Sequence, residues 1–446
     1  MPTTEPAHPS VPRSFVRDAA TTIGARFLLA AMILVTDVVL ARTLGADGKG
    51  RFTLVILLSQ LGAVAIGLGL DRAFGYSVAQ SRDVARRALG NGGAWILVVG
   101  GIAMLVGLAL AVSIGIPNLD PADVVFAALA LPLELAFSFG VVTLLGRRLI
   151  GAYNATRLVR RGLLLVGLVS IAVAGLDLRA ALLTNLVALV VAVGIVLRAM
   201  ARDGVVPGHP SRDLLREQLR YGIRSWPGAL ADRFQFRLDA FVVNSVVGVT
   251  ATGVYSVAAS AAEALWYVPS ALGAVLFGRA AAAGREAAPL ASAVTRMTLA
   301  LGILVALPAA LVAPLAIAAL YGPSFSGATS ALQLLLPGVV AYGVVAVLSQ
   351  YLLAIGAPGR STAVRMCGLA INIVANLVLV PRAGIEGAAI ASSISYTATA
   401  ILMLVVYLRT TGRGARETLI VRRADLAMLA ARVRRRTNTD EVLLDA

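Results

Sequence analysis

The chain has 446 residues, of which 59% are apolar and only 14% are charged. A soluble domain carries about 25% charged residues, so this composition excludes a soluble enzyme, a disordered chain and a disulfide-rich scaffold. The net charge of +16 would suggest nucleic-acid binding in a soluble protein. In a membrane protein it indicates arginine-rich cytoplasmic loops instead, and we expect no nucleic-acid partner.

A polar N-terminal tail (1–20) is followed by a series of apolar segments. Each segment is about long enough to span a membrane as a helix. We predict spans at 21–42, 52–78, 91–115, 122–146, 161–177 and 179–198, and then at 221–248, 252–279, 294–321, 328–356, 361–380 and 385–409. A polar linker (199–220) separates the two sets, and a basic tail (410–446) ends the chain. The predicted fold class is an all-α, polytopic membrane protein.

The arginines predict the orientation of these spans, because positive residues concentrate in cytoplasmic loops. When the N-terminus is placed in the cytoplasm, most of the 39 Lys+Arg residues fall on the cytoplasmic side. The outer loops then hold only Arg42, Lys49, Arg51, Arg179 and Arg382. We therefore predict a multi-pass protein of the cytoplasmic (inner) membrane with both termini in the cytoplasm.

A weak internal repeat relates the two halves of the chain. The pattern Gly-x4-Gly-x-aromatic lies at 45–52, between spans one and two, and again at 248–255, between spans seven and eight. Asp37 precedes the first copy and Asp239 the second at nearly the same spacing. Six spans in each half make the repeats parallel, and such halves commonly flank a substrate path.

Ionisable residues inside predicted spans are the candidate functional residues, because charge within a membrane is costly. Span seven carries the most: Asp232, Arg233, Arg237 and Asp239. Helical spacing places Arg233 and Arg237 on one face near mid-depth, and the two aspartates share another direction. Such a wide polar face predicts a water-filled cavity or a charged partner helix.

Two arginines at mid-depth need an anion, and two interpretations stay open. One is an internal ion pair with Glu263 or Glu134, because buried charges are usually paired. The other is a phosphate-bearing substrate, which the planar guanidinium group binds well. Asp37 is predicted to be a polar packing partner, with an ion-coupling site as the alternative.

Arg26 and Arg72 are weaker candidates, because each lies near a span end where its side chain can reach the interface. The histidines, His8 and His209, lie in polar segments, and the chain has one cysteine. We therefore predict no metal site, no cofactor and no catalytic residues.

Several segments resemble oligosaccharide-lipid flippases of the polysaccharide transporter (Wzx-type) family, within the multidrug, oligosaccharidyl-lipid and polysaccharide exporter superfamily. They are VLARTLGADGKGRFTL (39–54), GLGLDRAF (67–74), RLDAFVVNSVVGVTATGVYSVAASAAE (237–263), LYGPSF (320–325), LLAIGAPGRS (352–361) and NIVANLVLVPRAGIEGAAIASSISY (372–396). The resemblance covers about 22–409. It implies two six-helix bundles, 21–198 and 221–409, around a central cavity.

The resemblance also implies a function, namely a flippase that moves a polyprenyl-diphosphate-linked oligosaccharide across the membrane for cell-surface polysaccharide synthesis. The family's cavity arginines are expected to bind the diphosphate, and the matching positions are Arg233 and Arg237, then Arg26 and Arg72. Membrane lipids, a polysaccharide polymerase and glycosyltransferases are the implied partners. The alternatives are a cation-coupled multidrug exporter, a peptidoglycan-precursor flippase and, in another class, a membrane glycosyltransferase or polymerase.

Overall fold

The computed structural model describes residues 13–113, 116–175 and 177–422, with side chains from Gly24 onward except those of Arg26 and Phe27. Within these ranges the secondary structure is helical, apart from one isolated β-bridge between Ile116 and Leu119. Seven helices are long and apolar enough to cross a membrane, and some of them contain more than one span. The predicted all-α polytopic fold is therefore confirmed.

The chain forms two compact units, and the first comprises Met1–Trp226. Its helices are α1 (Arg13–Gly67), α2 (Leu70–Val78), α3 (Arg82–Trp95), α4 (Gly101–Ser113), α5 (Pro121–Gly146), α6 (Ile150–Ala174) and α7 (Leu178–Arg202). Helix α1 holds two spans, because Gly45 interrupts it with a φ of 66° and a ψ of −174°. A π-helical turn, Ile96–Gly100, joins α3 to α4 within one span.

The second unit comprises Pro227–Ala446. Helix α8 (Arg212–Gln235) begins in the first unit and enters the second. It is followed by α9 (Leu238–Val246), α10 (Val249–Glu263), α11 (Tyr267–Ala283), α12 (Ala288–Leu320), α13 (Ala328–Ala354), α14 (Pro358–Thr411) and α15 (Ala415–Leu419). Helix α14 also holds two spans, separated at Ala383–Gly384. When helices joined by a short interruption are counted as one segment, the described residues contain six helical segments before α8 and six from α8 onward.

Four helices begin eight or more residues before their predicted spans, and one of them is α3, which begins at Arg82 rather than at residue 91. Helix α1 begins at Arg13, within the predicted tail, and α8 begins at Arg212, within the predicted linker. Helix α6 begins at Ile150 rather than at residue 161. The first turns of α6 and α8 pack on the core of the first unit, through Ala152 and Tyr153 of α6 and through Leu214, Leu215 and Leu219 of α8.

Close contacts between helices depend on small residues at a few positions. In the second unit, a Cβ atom on Gly338 of α13 would lie 2.4 Å from the Cα of Ser393 in α14. The Ser393 hydroxyl donates a hydrogen bond to the carbonyl of Leu334 on α13. In the first unit, the rings of Phe74 and Phe139 pack edge to face, with centroids 4.7 Å apart.

Candidate functional site

Span seven is interrupted within its charged run, between the end of α8 at Gln235 and the start of α9 at Leu238. Arg237 has a φ of −133° and a ψ of −15°, and its N–H donates to the Phe234 carbonyl at 3.1 Å. The prediction of one continuous helix that carries both Arg233 and Arg237 is therefore wrong. Arg233 lies within α8, whereas Arg237 lies at the break.

Arg237 forms a two-pronged ion pair with Glu263, the last residue of α10. Its Nη1 lies 2.7 Å from Oε1, and its Nη2 donates to Oε2 at 2.8 Å. The side chains are 35% and 26% exposed, so the pair is only partly enclosed. The internal-pair interpretation thus describes the Arg237 contact in this structure.

Asp232, on the last turns of α8, forms an ion pair with Arg365 of α14. The Tyr342 hydroxyl lies 3.4 Å from the other carboxylate oxygen of Asp232. Arg365 lies within the predicted span 361–380 and within α14, but it was not among the ionisable residues proposed as functional candidates. The partner of Asp232 was therefore missed.

Four aromatic rings pack together at the break, and we call them the aromatic cluster: Phe236, Trp266, Tyr342 and Tyr396. Their centroids lie 4.6 to 5.6 Å apart. The Trp266 indole N–H donates to the Val339 carbonyl at 3.0 Å. These residues come from four separate segments, so no sequence pattern links them.

Asp239 lies on the first turn of α9 and is 3% exposed. Its carboxylate accepts hydrogen bonds from the Tyr255 hydroxyl, from Ser392 Oγ at 3.2 Å and from the Ala240 N–H at 2.8 Å. Among the predicted carboxylates, Asp37, Glu134, Asp232 and Glu263 are instead bound to arginine or lysine. Asp239 differs from these four carboxylates, because the donors described here, a tyrosine, a serine and a backbone N–H, are uncharged.

Two asparagines extend this polar group along α14. Asn372 Nδ2 lies 3.4 Å from Ser392 Oγ, and Asn376 Nδ2 donates to the Asn372 carbonyl at 2.9 Å. Both amide oxygens are buried without a hydrogen-bond partner in the described part of the chain. Carboxylate, hydroxyl and amide oxygens are ligands that small hard cations prefer, so these residues could hold one. No cluster of three His, Cys, Asp or Glu residues occurs among the residues that the structure describes.

The first unit encloses its own ion pairs. Glu134 of α5 pairs with Arg160 of α6 at 2.5 Å, and Asp37 pairs with Lys49 at 2.6 Å. Glu134 therefore has an arginine partner within its own unit. Lys49 is 2% exposed, because it follows the Gly45 bend and turns back into the bundle.

The remaining predicted arginines differ in their surroundings. Arg233 is exposed on α8 and makes no hydrogen bond or ion pair with the described residues. Arg72 is exposed, and its guanidinium lies 3.4 Å from the Ser225 carbonyl. Arg26 lies in α1, but its side chain is outside the described residues.

Comparison with known proteins gives a family match and several structural matches. A family model described as polysaccharide biosynthesis protein matches residues 39–330. No curated protein matches the sequence. The chain is similar to the lipid II flippase MurJ in an inward closed conformation, with 11% identity over 89% of this chain and 90% of that chain and a TM-score of 0.71.

Two further solved structures have the same fold. One is an inward-facing multidrug resistance MATE family transporter of the MOP superfamily, with 17% identity over 86% of this chain and 94% of that chain and a TM-score of 0.70. The other is a MOP superfamily transporter from Pyrococcus furiosus, with 18% identity over 89% and 95% of the two chains and a TM-score of 0.60.

Proposed function

Because the chain belongs to the family of polysaccharide biosynthesis proteins, we propose that it is a flippase for a polyprenyl-diphosphate-linked oligosaccharide. It would carry this lipid from the inner to the outer leaflet of the cytoplasmic membrane for cell-surface polysaccharide synthesis. A polysaccharide polymerase and glycosyltransferases would be its pathway partners. The fold of MOP-superfamily transporters supports a transport function.

The observation that carries the substrate proposal is the partly enclosed ion pair between Arg237 and Glu263. The Arg237 side chain is 35% exposed, and we expect a diphosphate to reach it. It already uses its two-pronged geometry on a carboxylate, and that geometry also suits phosphate oxygens. Exchange of Glu263 for the diphosphate would leave neither Arg237 nor the substrate without a counter-charge.

The neighbouring side chains support this role for the break in span seven. Arg233 is exposed and makes no ion pair with the described residues, so it would add a second positive charge for the diphosphate. The aromatic cluster holds the break in a fixed shape, because its packed rings have few alternative rotamers. An accessible arginine also favours an anionic substrate over the cationic drugs expected of a multidrug exporter.

A deletion strain tests the substrate. Loss of the protein should remove the surface polysaccharide and cause a lipid-linked saccharide to accumulate on the inner leaflet, where it is protected from membrane-impermeant periodate. Expression of the wild-type chain should reverse both effects. Unchanged surface polysaccharide without accumulation in the deletion strain would refute the proposal.

We further propose Asp239 as the residue that couples transport to a cation gradient. Its carboxylate is buried, receives hydrogen bonds from uncharged donors and is linked through Ser392 to Asn372, whose amide oxygen has no hydrogen-bond partner among the described residues. A sodium ion or a proton at Asp239 would neutralise a charge that is costly to keep inside a membrane.

Flipping in proteoliposomes under an imposed sodium or proton gradient tests this coupling. Asp239→Asn should abolish the response to the gradient, because the amide carries no charge for a cation to neutralise. Asp213→Asn is the matched control, because Asp213 is exposed near the start of α8. A gradient response in Asp239→Asn equal to that of the wild type would refute the coupling role.

A further inference from the structure

A second basic site lies in the second unit, among residues that the proposed transport site does not use. It is an open pocket with a volume of about 380 Å³. We call it the basic pocket. Its lining residues are Arg285, Ile355, Gly356, Ala357, Pro358, Gly359, Arg360 and Thr410. Three segments therefore line the pocket: the turn after α11, the connection between α13 and α14, and the end of α14.

The two arginines of the basic pocket keep their positive charge free for a ligand. Arg360 Nη1 donates to the Thr410 hydroxyl at 2.9 Å, which positions the guanidinium at the pocket wall without neutralising it. Neither Arg285 nor Arg360 forms an ion pair within the described residues. The nearby carboxylate of Glu417 is already bound by Arg413 and Arg422, at 3.5 and 3.1 Å.

The backbone of the connection between α13 and α14 adds to this positive potential. Gly356 has a φ of 79°, which allows the chain to turn sharply between the two helices. Helix α14 then begins at Pro358, and Gly359 and Arg360 line the pocket at its first turn. The free N–H groups of a first turn favour a negative charge, so backbone and side chains select the same kind of ligand.

The position of the pocket in the span order identifies the source of that ligand. Spans eight, ten and twelve end at this pocket, so alternation of the spans places all three ends on one side of the membrane. This is the side of the arginine-rich loops, where basic pockets between helices bind lipid head groups. We propose that the basic pocket binds the phosphate of an anionic phospholipid head group. This inference does not depend on the transported substrate.

Lipid binding to the full-length, delipidated protein tests the proposal by native mass spectrometry. Phosphatidylglycerol should bind more tightly than phosphatidylcholine with the same acyl chains. Arg285→Gln and Arg360→Gln should each weaken phosphatidylglycerol binding about fivefold, which corresponds to about 1 kcal/mol for each basic residue near a membrane surface. Binding of phosphatidylcholine should not change.

Arg279→Gln is the matched control, because Arg279 is exposed near the same end of α11 but does not line the pocket. Arg360→Lys should retain part of the affinity, because lysine keeps the charge but loses the guanidinium contact to Thr410. Two results would overturn the proposal. One is wild-type affinity in the Arg285→Gln, Arg360→Gln double variant. The other is inorganic phosphate that displaces the lipid at equal concentration, which would identify a soluble phosphate as the ligand.

Discussion

At the scale of single residues, the ion pairs of this protein differ in how far water can reach them. Lys49–Asp37, Arg160–Glu134 and Arg365–Asp232 have side chains that are at most 24% exposed, whereas those of Arg237 and Glu263 are 35% and 26% exposed. Separating an enclosed pair leaves two uncompensated charges, which is strongly unfavourable. Among these four pairs, Arg237–Glu263 is therefore the one that we expect to exchange its carboxylate most readily for a substrate anion.

We predict that Arg237→Ala abolishes export of the oligosaccharide while the protein still inserts at normal levels. Arg237→Lys should restore export only in part, because lysine supplies charge without the planar guanidinium group. Surface polysaccharide and protein abundance are measured in the same deletion strain that carries each variant.

A purely structural role for the Arg237–Glu263 pair makes the opposite prediction. Arg237→Ala would then lower protein abundance, because a buried charge without its partner costs about 3–5 kcal/mol. The double variant Arg237→Ala, Glu263→Ala would restore both abundance and export. Recovery of export in the double variant would thus exclude substrate binding by Arg237.

The sequence identifies which charges lie within spans, because isolated charges stand out in apolar segments. It does not identify their partners. Arg160 lies just before the predicted span 161–177 and Arg365 near the start of the predicted span 361–380, yet each reaches a carboxylate on another helix. The choice among possible partners depends on helix rotation and packing, which a periodic pattern in one segment does not specify.

At the scale of secondary structure elements, close contacts between helices depend on glycine residues, which have no side chain. Gly338 of α13 faces the backbone of Ser393 in α14, and a Cβ there would lie 2.4 Å from Ser393 Cα. Because backbone atoms cannot rotate away as a flexible side chain can, the two helices would have to separate.

We predict that Gly338→Ala lowers the melting temperature of the detergent-solubilised protein, because overpacking typically costs about 1–3 kcal/mol. Gly278→Ala is the control, because nothing lies within 4 Å of a Cβ atom at Gly278 of α11. The control should match or slightly exceed the wild-type melting temperature, because alanine favours a helix over glycine. An unchanged melting temperature in Gly338→Ala would contradict this account of the contact.

The joints between helices were only partly predictable from the sequence. The two copies of the glycine pattern correspond to the bend at Gly45 and the joint at Gly248, both with positive φ. The break at Phe236–Arg237 has neither glycine nor proline, so no residue of special backbone preference indicates it. Its position instead coincides with packing of the aromatic cluster and with the ion pair to Glu263.

At the scale of the whole molecule, the twelve predicted spans are an even number, so we expect the chain to return to the side of the membrane from which it starts. The family that the sequence motifs indicate is confirmed. The orientation of the termini, the division into tails, linker and two bundles at the predicted boundaries, and the central cavity stay predictions.

We predict that a fluorescent protein fused after Ala446 is fluorescent, and that alkaline phosphatase fused at the same position is inactive. The arginine distribution places this end in the cytoplasm, where only the fluorescent reporter matures. Fusions that end at Asn118, between spans three and four, should show the reverse pattern. Phosphatase activity after Ala446 would overturn both the orientation and the number of spans.

Because Lys49 is buried, its reactivity can be used to measure unfolding of the protein around this residue. Lys49 is the only lysine in the sequence, its side chain is 2% exposed, and its ammonium group lies 2.6 Å from Asp37. Amine-selective acylating reagents, which require an unprotonated and accessible amine, should therefore leave every side chain of the native protein unmodified. Acylation at Lys49 would then count the molecules in which the Gly45 bend has opened, whether by heat, detergent or substitution.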